Sequence, residues 1–173
     1  MNRILFDTSV YGKLIEDLDI VEKIGKLIPK KFVIYGTKII RDELRETPKK
    51  LKIEAGNKRI LLLHIYDSFV KKDHHDLEYN KLIETLAEDY FKEYKKQNGS
   101  LSEKSIKNDL IIIATATIYQ LDIIISNDER SMLSNSAINA YNKINKKYGL
   151  KNPEFKTYEK FKEEIKRLHQ NDI

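Results

Sequence analysis

Four acidic residues of the sequence stand where their side chains could bind a metal ion together. Asp7 directly follows one short apolar run, and Asp128 comes within three residues of the end of another. Glu43 and Asp109 lie in segments with the apolar spacing of helices. Carboxylates that crowd together repel each other, so they either raise their pKa values or bind a cation. Oxygen ligands without His or Cys nearby favour a hard ion, either Mg²⁺ or Mn²⁺.

Hydrolysis of a phosphodiester is the reaction that this set of ligands would support. A bound divalent ion polarises a phosphoryl oxygen and lowers the pKa of a water molecule. Each acid taken alone also has a structural interpretation, because Asp is common in turns and stabilises the first turn of a helix. Four acids in matching positions make the metal site the favoured hypothesis.

Short apolar runs predict the strands that would position these acids. The predicted strands are residues 4–6, 32–35 and 122–126, and a short last strand is predicted at residues 155–157. Apolar runs without polar alternation are typical of parallel strands that are covered on both faces. Helical patterns alternate with these runs, so the predicted fold class is α/β, with a parallel β-sheet flanked by helices.

The parallel sheet should bring the acids to one edge. The carboxyl ends of parallel strands lie at the same edge, and open α/β sheets bind their ligands there. Asp7 and Asp128 follow strands, and Glu43 lies on a helix that begins at the end of the second strand. Asp109 is predicted in or near the first turn of the helix that leads into the third strand, so it joins them.

Helical spacing accounts for most of the remaining chain. The predicted helix caps are hydroxyl side chains that precede a helical period: Ser9, Thr37, Ser102 or Ser105, and Ser136. The segment of about residues 50–104 is longer than a parallel crossover needs, and it is predicted as a helical elaboration with a polar connector at residues 71–76. The length of 173 residues favours one domain, residues 1–173.

The composition of the chain restricts which binding partners and which cellular compartment are expected. The formal net charge is +5, from 32 Lys and Arg against 27 Asp and Glu. This charge favours an anionic binding partner such as nucleic acid. A mixed, solvated surface would also account for so small a surplus. The absence of Cys excludes disulfides and thiolate metal sites. No signal peptide or membrane-length apolar run is recognisable, so a cytoplasmic protein without membrane contact is expected.

Four segments in order resemble the motifs of the PIN domain family. Residues 5–10 (LFDTSV) resemble the opening of a PIN domain, and residues 40–44 (IRDEL) resemble the segment that carries its helical Glu. Residues 108–116 (NDLIIIATA) match the third acidic motif, and residues 125–128 (ISND) match the fourth. Each motif alone is weak, whereas the ordered set extends over nearly the whole chain and is fairly specific.

This resemblance implies a metal-dependent ribonuclease, with water attacking the phosphorus in line to leave a 5′-phosphate. Mg²⁺ or Mn²⁺ would be bound by Asp7, Asp109 and Asp128, with Glu43 holding a metal ion or its water. The implied supporting residues carry hydroxyl groups beside the acids: Ser126, Thr8 and Ser9. Many small members of the family are toxins of toxin–antitoxin pairs and are often dimeric, while others process ribosomal RNA. The partners implied are therefore an RNA substrate, an antitoxin protein and a second copy of the chain.

Two other functions compete with the nuclease. A PIN-fold module could bind RNA or protein with little or no cleavage, but a binding surface for an anion does not need converging carboxylates. A phosphatase with a nucleophilic Asp7 would want a second acid two residues later, where this sequence has Ser9.

Overall fold

The computed structural model describes residues 1–70 and 74–171 of the chain. The strands in this part are β1 (Asn2–Phe6), β2 (Phe32–Thr37), β3 (Lys52–Ile53), β4 (Gly56–Asn57), β5 (Asp76–Leu77), β6 (Ile123–Ile125) and β7 (Glu154–Lys156). The helices in this part are α1 (Thr8–Leu14), α2 (Leu18–Leu27), α3 (Lys38–Glu46), α4 (Lys58–Phe69), α5 (Lys81–Lys96), α6 (Glu103–Ile118), α7 (Asn135–Tyr148) and α8 (Tyr158–Asn171).

The described strands include a five-stranded parallel sheet in the order β5-β2-β1-β6-β7. At its centre Leu5 of β1 lies opposite Tyr35 of β2 and Ile124 of β6. Leu5 and Ile124 are fully buried, as expected for strands that are covered on both faces. The predicted α/β fold with a parallel sheet flanked by helices is confirmed.

The second half of helix α6 is buried on all sides. Its residues from Leu110 to Thr117 are all buried, because the apolar run leaves no polar face for solvent. Helix α5 packs against both α6 and α7, and α2 packs against α8. No helix in the described ranges is both long enough and apolar enough to cross a membrane.

The segment between β2 and β6 is only partly the helical elaboration that its length predicts. It contains α4 and α5, but residues 52–57 form an antiparallel hairpin of β3 and β4 where a helical pattern with a break at Gly56 and Asn57 was expected. Gly56 has a φ of +126°, a conformation that side chains with a Cβ rarely adopt, so a turn forms here instead of a helix. Asn57 then caps α4 by accepting a bond from the Ile60 amide at 3.1 Å.

The predicted polar connector also contains a strand. Asp76 and Leu77 of β5 pair in parallel with Gly36 and Thr37 at the end of β2, and they form one edge of the sheet. A two-residue strand is too short to show alternation, so its pairing depends on the neighbour that the fold supplies. Residues 71–73 of the connector lie outside the described residues.

Candidate active site

Asp7 lies where β1 passes into α1, and three hydrogen bonds reach its carboxylate. The hydroxyl groups of Ser9 and Ser126 donate to Oδ2 at 2.8 and 2.9 Å, and the Ser9 amide donates to the same oxygen at 3.4 Å. Asp7 is only 5% exposed. Asp7 itself is the N-cap of α1, so the prediction that Ser9 caps this helix was wrong. The Ser9 hydroxyl is instead turned back to the Asp7 carboxylate.

Ser126 connects the ends of β1 and β6. Its buried hydroxyl donates to Asp7 and accepts a bond from the backbone amide of Asp128 at 3.0 Å. The next amide, of Asn127, donates to the Ser9 hydroxyl at 3.0 Å. These bonds hold the loop after β6 against the loop after β1, so the two acids that end these strands share one edge of the sheet, as the topology predicts.

Asp128 is fixed by the turn that follows it. Its Oδ1 accepts bonds from the amides of Arg130 and Ser131 at 3.0 and 2.9 Å, and its Oδ2 accepts a bond from the Ser131 hydroxyl at 2.6 Å. Both carboxylate oxygens therefore have defined partners. Helix α7 begins shortly after this turn and is capped by Ser134, whose hydroxyl accepts from the Ala137 amide at 3.4 Å, so the prediction of Ser136 as the cap was wrong.

Asp109 faces Asp128 across the hydroxyl of Ser131. The same Ser131 hydroxyl that contacts Asp128 also lies within hydrogen-bond distance of Asp109 Oδ2. Helix α6 begins at Glu103 and is capped by Ser102, which places Asp109 in its second turn, one turn later than predicted.

The environment of Asp109 favours its neutral form in the metal-free protein. Burial raises the pKa of Asp109 to about 7, and the negative charges of Asp7, Asp128 and Glu43 add to this effect against the opposing hydrogen bond from Ser131. The three other predicted acids thus act electrostatically on Asp109, which means that the fold brings all four to one region.

Glu43 is held from two sides by residues that are distant in sequence. The Thr8 hydroxyl donates to Glu43 Oε2, and the side-chain amide of Asn108 donates to Oε1 at 2.7 Å. Thr8 follows Asp7 and Asn108 precedes Asp109, so Glu43 contacts the neighbours of two other acids.

Two contacts at this site were missed from the sequence. Asn108 belongs to the third motif, but its type and position gave no indication of a partner on α3. Ser131 lies outside the motifs. Its position three residues after Asp128 is nevertheless one at which an Asp side chain often accepts a hydrogen bond from the backbone amide.

The donor atoms of this region suit a divalent cation, although they are not assembled around one. Among residues 1–70 and 74–171, no three Asp, Glu or His side chains meet closely enough to form a ready-made metal-binding group. Hydroxyl and amide groups contact the carboxylates instead. The four acids offer oxygen ligands only, and burial first, then the negative charges of the other three acids, raise the pKa of Asp109; a bound cation would favour its ionised form. By the chemistry of their side chains, the four acids therefore suit a hard divalent cation.

The fold is similar to that of several solved structures. VapBC2 from Rickettsia felis, bound to a promoter DNA fragment, is 15% identical over 90% of this chain and 98% of that chain, with a TM-score of 0.59. DNA-bound VapBC from Salmonella typhimurium is 14% identical over 91% and 99%, with a TM-score of 0.57. VapBC-1 from nontypeable Haemophilus influenzae is 16% identical over 90% and 98%, with a TM-score of 0.55. Identities this low support a common fold and nothing finer.

Sequence comparison supplies the family. Curated proteins compared by sequence include no match to this chain. The model of the PIN domain family matches residues 4–137, which include all four predicted acids, the last three residues of β1 and the sheet strands β2, β5 and β6. This chain belongs to the PIN domain family.

Proposed function

We propose that the protein is a divalent-metal-dependent endoribonuclease that hydrolyses phosphodiester bonds of RNA. The observation that carries the proposal is the crowding around Asp109, whose carboxyl is joined to Asp128 through Ser131 and feels the charges of Asp7 and Glu43. Acids gathered in this way raise the energy of the metal-free site. A hard cation would remove that cost, and the family supports nuclease chemistry for such a site.

In this proposal, Asp7, Asp109 and Asp128 hold Mg²⁺ or Mn²⁺, and Glu43 holds an ion or its water. When bound, the ion would supply polarisation of a phosphoryl oxygen and a lower pKa for a water molecule. Hydrolysis adds water across the P–O3′ bond and leaves a 5′-phosphate and a 3′-hydroxyl.

The other site residues orient these acids. Ser9 and Ser126 donate to the same oxygen of Asp7, which fixes the direction of its carboxylate. Thr8 and Asn108 do the same for the two oxygens of Glu43. Such hydrogen bonds to ligating carboxylates usually contribute tenfold to a hundredfold to metal affinity or activity.

An antitoxin-like protein and a second copy of this chain are the proposed protein partners. The similar structures from Rickettsia felis and Salmonella typhimurium are VapBC assemblies bound to DNA, which supports a toxin-type role for a chain of the same fold. The surplus of basic residues, with a formal net charge of +5, suits an RNA substrate.

The test is cleavage of a mixed RNA pool by the purified protein with Mg²⁺, with Mn²⁺ and with chelator. Asp128→Asn should abolish cleavage because one carboxylate ligand is lost. Glu129→Gln is the matched control, since it removes the same charge from the adjacent, exposed residue and should leave the rate unchanged. Cleavage that survives in chelator, or in Asp128→Asn with the metal present, would overturn the assignment.

The competing function is an RNA- or protein-binding module of the same fold. It predicts that the protein binds RNA but forms no cleavage products with either ion, and that Asp128→Asn binds RNA equally well. Binding of labelled RNA by the wild type and by Asp128→Asn, measured in the same buffers, separates the two functions.

A further inference from the structure

Ser131 is the residue that physically joins two of the four acids. Its hydroxyl lies within hydrogen-bond distance of Asp128 Oδ2, at 2.6 Å, and of Asp109 Oδ2. Asp109 belongs to α6, whereas Ser131 lies in the turn before α7, 22 residues later. At 6% exposure, the serine is buried.

The backbone around Ser131 leaves this hydroxyl little freedom to move. The Ser131 amide donates to Asp128 Oδ1 at 2.9 Å, and its carbonyl oxygen accepts bonds from the Ser134 hydroxyl and amide at 2.9 and 3.2 Å. Ser134 is the cap of α7, so the start of a helix fixes the position of the serine. A residue whose backbone amide, backbone carbonyl and side-chain hydroxyl all form hydrogen bonds is well suited to position its neighbours.

The hydroxyl orients the acid pair without neutralising it. A serine has one hydrogen to donate, so it can satisfy only one of the two carboxylate oxygens at a time. Both oxygens nevertheless point at the same atom, which keeps the two carboxylates directed to a common place. The repulsion between them is left for a cation to relieve.

We propose that Ser131 is a positioning residue that directs Asp109 and Asp128 to one divalent cation. The proposal rests on the proposed function, because it assumes that these two acids are ligands. It predicts that loss of the hydroxyl lets the acids separate, so that the protein spends more of its time in arrangements that bind the cation poorly.

The first measurement is calorimetric binding of Mn²⁺ to the purified protein. Ser131→Ala should raise the dissociation constant about tenfold, the lower end of what supporting residues contribute. Ser131→Thr retains a hydroxyl and should restore affinity to within about threefold of the wild type. Ser136→Ala is the matched control, because the Ser136 hydroxyl donates to the Gln97 carbonyl at 2.8 Å and its loss should leave affinity unchanged.

The second measurement separates positioning from damage to the active centre. In RNA cleavage, Ser131→Ala should raise the Mn²⁺ concentration that gives half the maximal rate by the same factor of about ten. The rate at saturating Mn²⁺ should fall by no more than about twofold, since excess ion restores the occupied site. A variant that is merely less folded would lose rate at every concentration of ion.

The third measurement tests the bridge without any metal. In chelator, Ser131→Ala should lower the melting temperature, and the loss should be smaller in an Asp109→Asn background, where the acid pair no longer exists. Equal losses in both backgrounds, or Mn²⁺ affinity of Ser131→Ala equal to or tighter than that of the wild type, would overturn the proposal. A wild type that binds no Mn²⁺, with unequal losses in chelator, would show the bridge and reject the metal site, and with it both proposals.

Discussion

The side-chain amide of Asn108 donates to Oε1 of Glu43 at 2.7 Å, although 65 residues separate them in the sequence. This contact ties α3 to α6 at the edge of the sheet where the acids gather. The other oxygen of Glu43 is held by Thr8, so the carboxylate is anchored on both sides. The position of Glu43 therefore depends on two other segments, the start of α1 through Thr8 and helix α6 through Asn108.

Removal of the Asn108 amide should weaken the site through Glu43. We expect Asn108→Ala to reduce metal-dependent RNA cleavage about tenfold to a hundredfold, because Glu43 loses one of its two anchors. Lys107→Ala changes the adjacent exposed residue of α6 and should leave the rate within about twofold. Initial rates at saturating Mn²⁺ measure both effects. Equal rates for the two variants would mean that Glu43 does not need this hydrogen bond.

Glu43 and its neighbour Asp42 allow a direct test of which acid on α3 matters. Asp42 pairs with Arg45 at 3.2 Å on the surface, while Glu43 contacts Thr8 and Asn108. Glu43→Gln should lower the cleavage rate by about a hundredfold or more, the range of a residue that acts on the reacting proton or its water. Asp42→Asn removes the same charge one residue away and should have little effect. Similar losses in both variants would point to net charge rather than to the Glu43 carboxylate.

The stability of the metal-free protein should depend on pH through Asp109. Burial, with the charges of Asp7, Asp128 and Glu43, raises the pKa of Asp109 from an ordinary 3.8 to about 7. Between pH 4 and pH 7 the folded protein therefore binds a proton that the unfolded chain releases, so the contribution of Asp109 to stability is lost as the pH rises through this window. Below pH 4 Asp109 is protonated in both the folded and the unfolded protein. Above pH 7 it is ionised in both, and the folded protein carries the full cost of the buried charge.

Thermal melting in chelator measures this effect. We expect the melting temperature of the wild type to fall from pH 5 to pH 8 relative to that of Asp109→Asn, which lacks the titrating group. Addition of Mn²⁺ at pH 8 should raise the wild-type value more than that of the variant, because a bound cation favours the ionised site. If the melting temperatures of the two proteins changed by the same amount between pH 5 and pH 8, that result would contradict the raised pKa of Asp109.

A side chain at Gly36 should destabilise the protein, because β2 passes the ring of Tyr66 closely there. A Cβ at Gly36 would lie 2.7 and 2.8 Å from two ring carbons of Tyr66, whose hydroxyl donates to the Thr37 carbonyl at 3.0 Å. We expect Gly36→Ala to destabilise the protein by about 1–3 kcal/mol, the usual cost of overpacking. For a chain of this size, that is a loss of about 2–4 °C in melting temperature per kcal/mol.

Gly25 provides the opposite expectation within the same protein. It lies in α2, and apart from its chain neighbours and the backbone of its own helix, a Cβ there would meet no heavy atom of the described residues within 4 Å. Gly25→Ala should therefore raise stability by about 0.5–1 kcal/mol, since alanine loses less backbone entropy in a helix. Melting of the two variants beside the wild type checks both signs, and a stabilised Gly36→Ala would show that Tyr66 can move aside without loss.

Much of the fold could be predicted because the repeating elements are long or strongly apolar. The strands at residues 4–6, 32–35 and 123–125 are apolar runs that only a covered sheet can bury, and the periodicity of α5 is unambiguous. The hairpin of residues 52–57 and the two-residue strand β5 were not predicted, because segments this short have no period. Thr37 and Ser102 cap α3 and α6 as predicted, whereas the caps of α1 and α7 were misplaced by two residues. Several Ser and Asp side chains lie near each of these helix starts, and any of them can serve as the cap.

The sequence alone determined the order of the four acids and the parallel topology that brings them to one edge. The alternation of strands and helices leaves few topologies, and all of them align the carboxyl ends of the strands. Only the tertiary structure decided which groups hold those acids: Asn108 for Glu43, and Ser131 between Asp109 and Asp128. Hydrogen bonds depend on positions within a fraction of an ångström, whereas sequence patterns specify an element and its face.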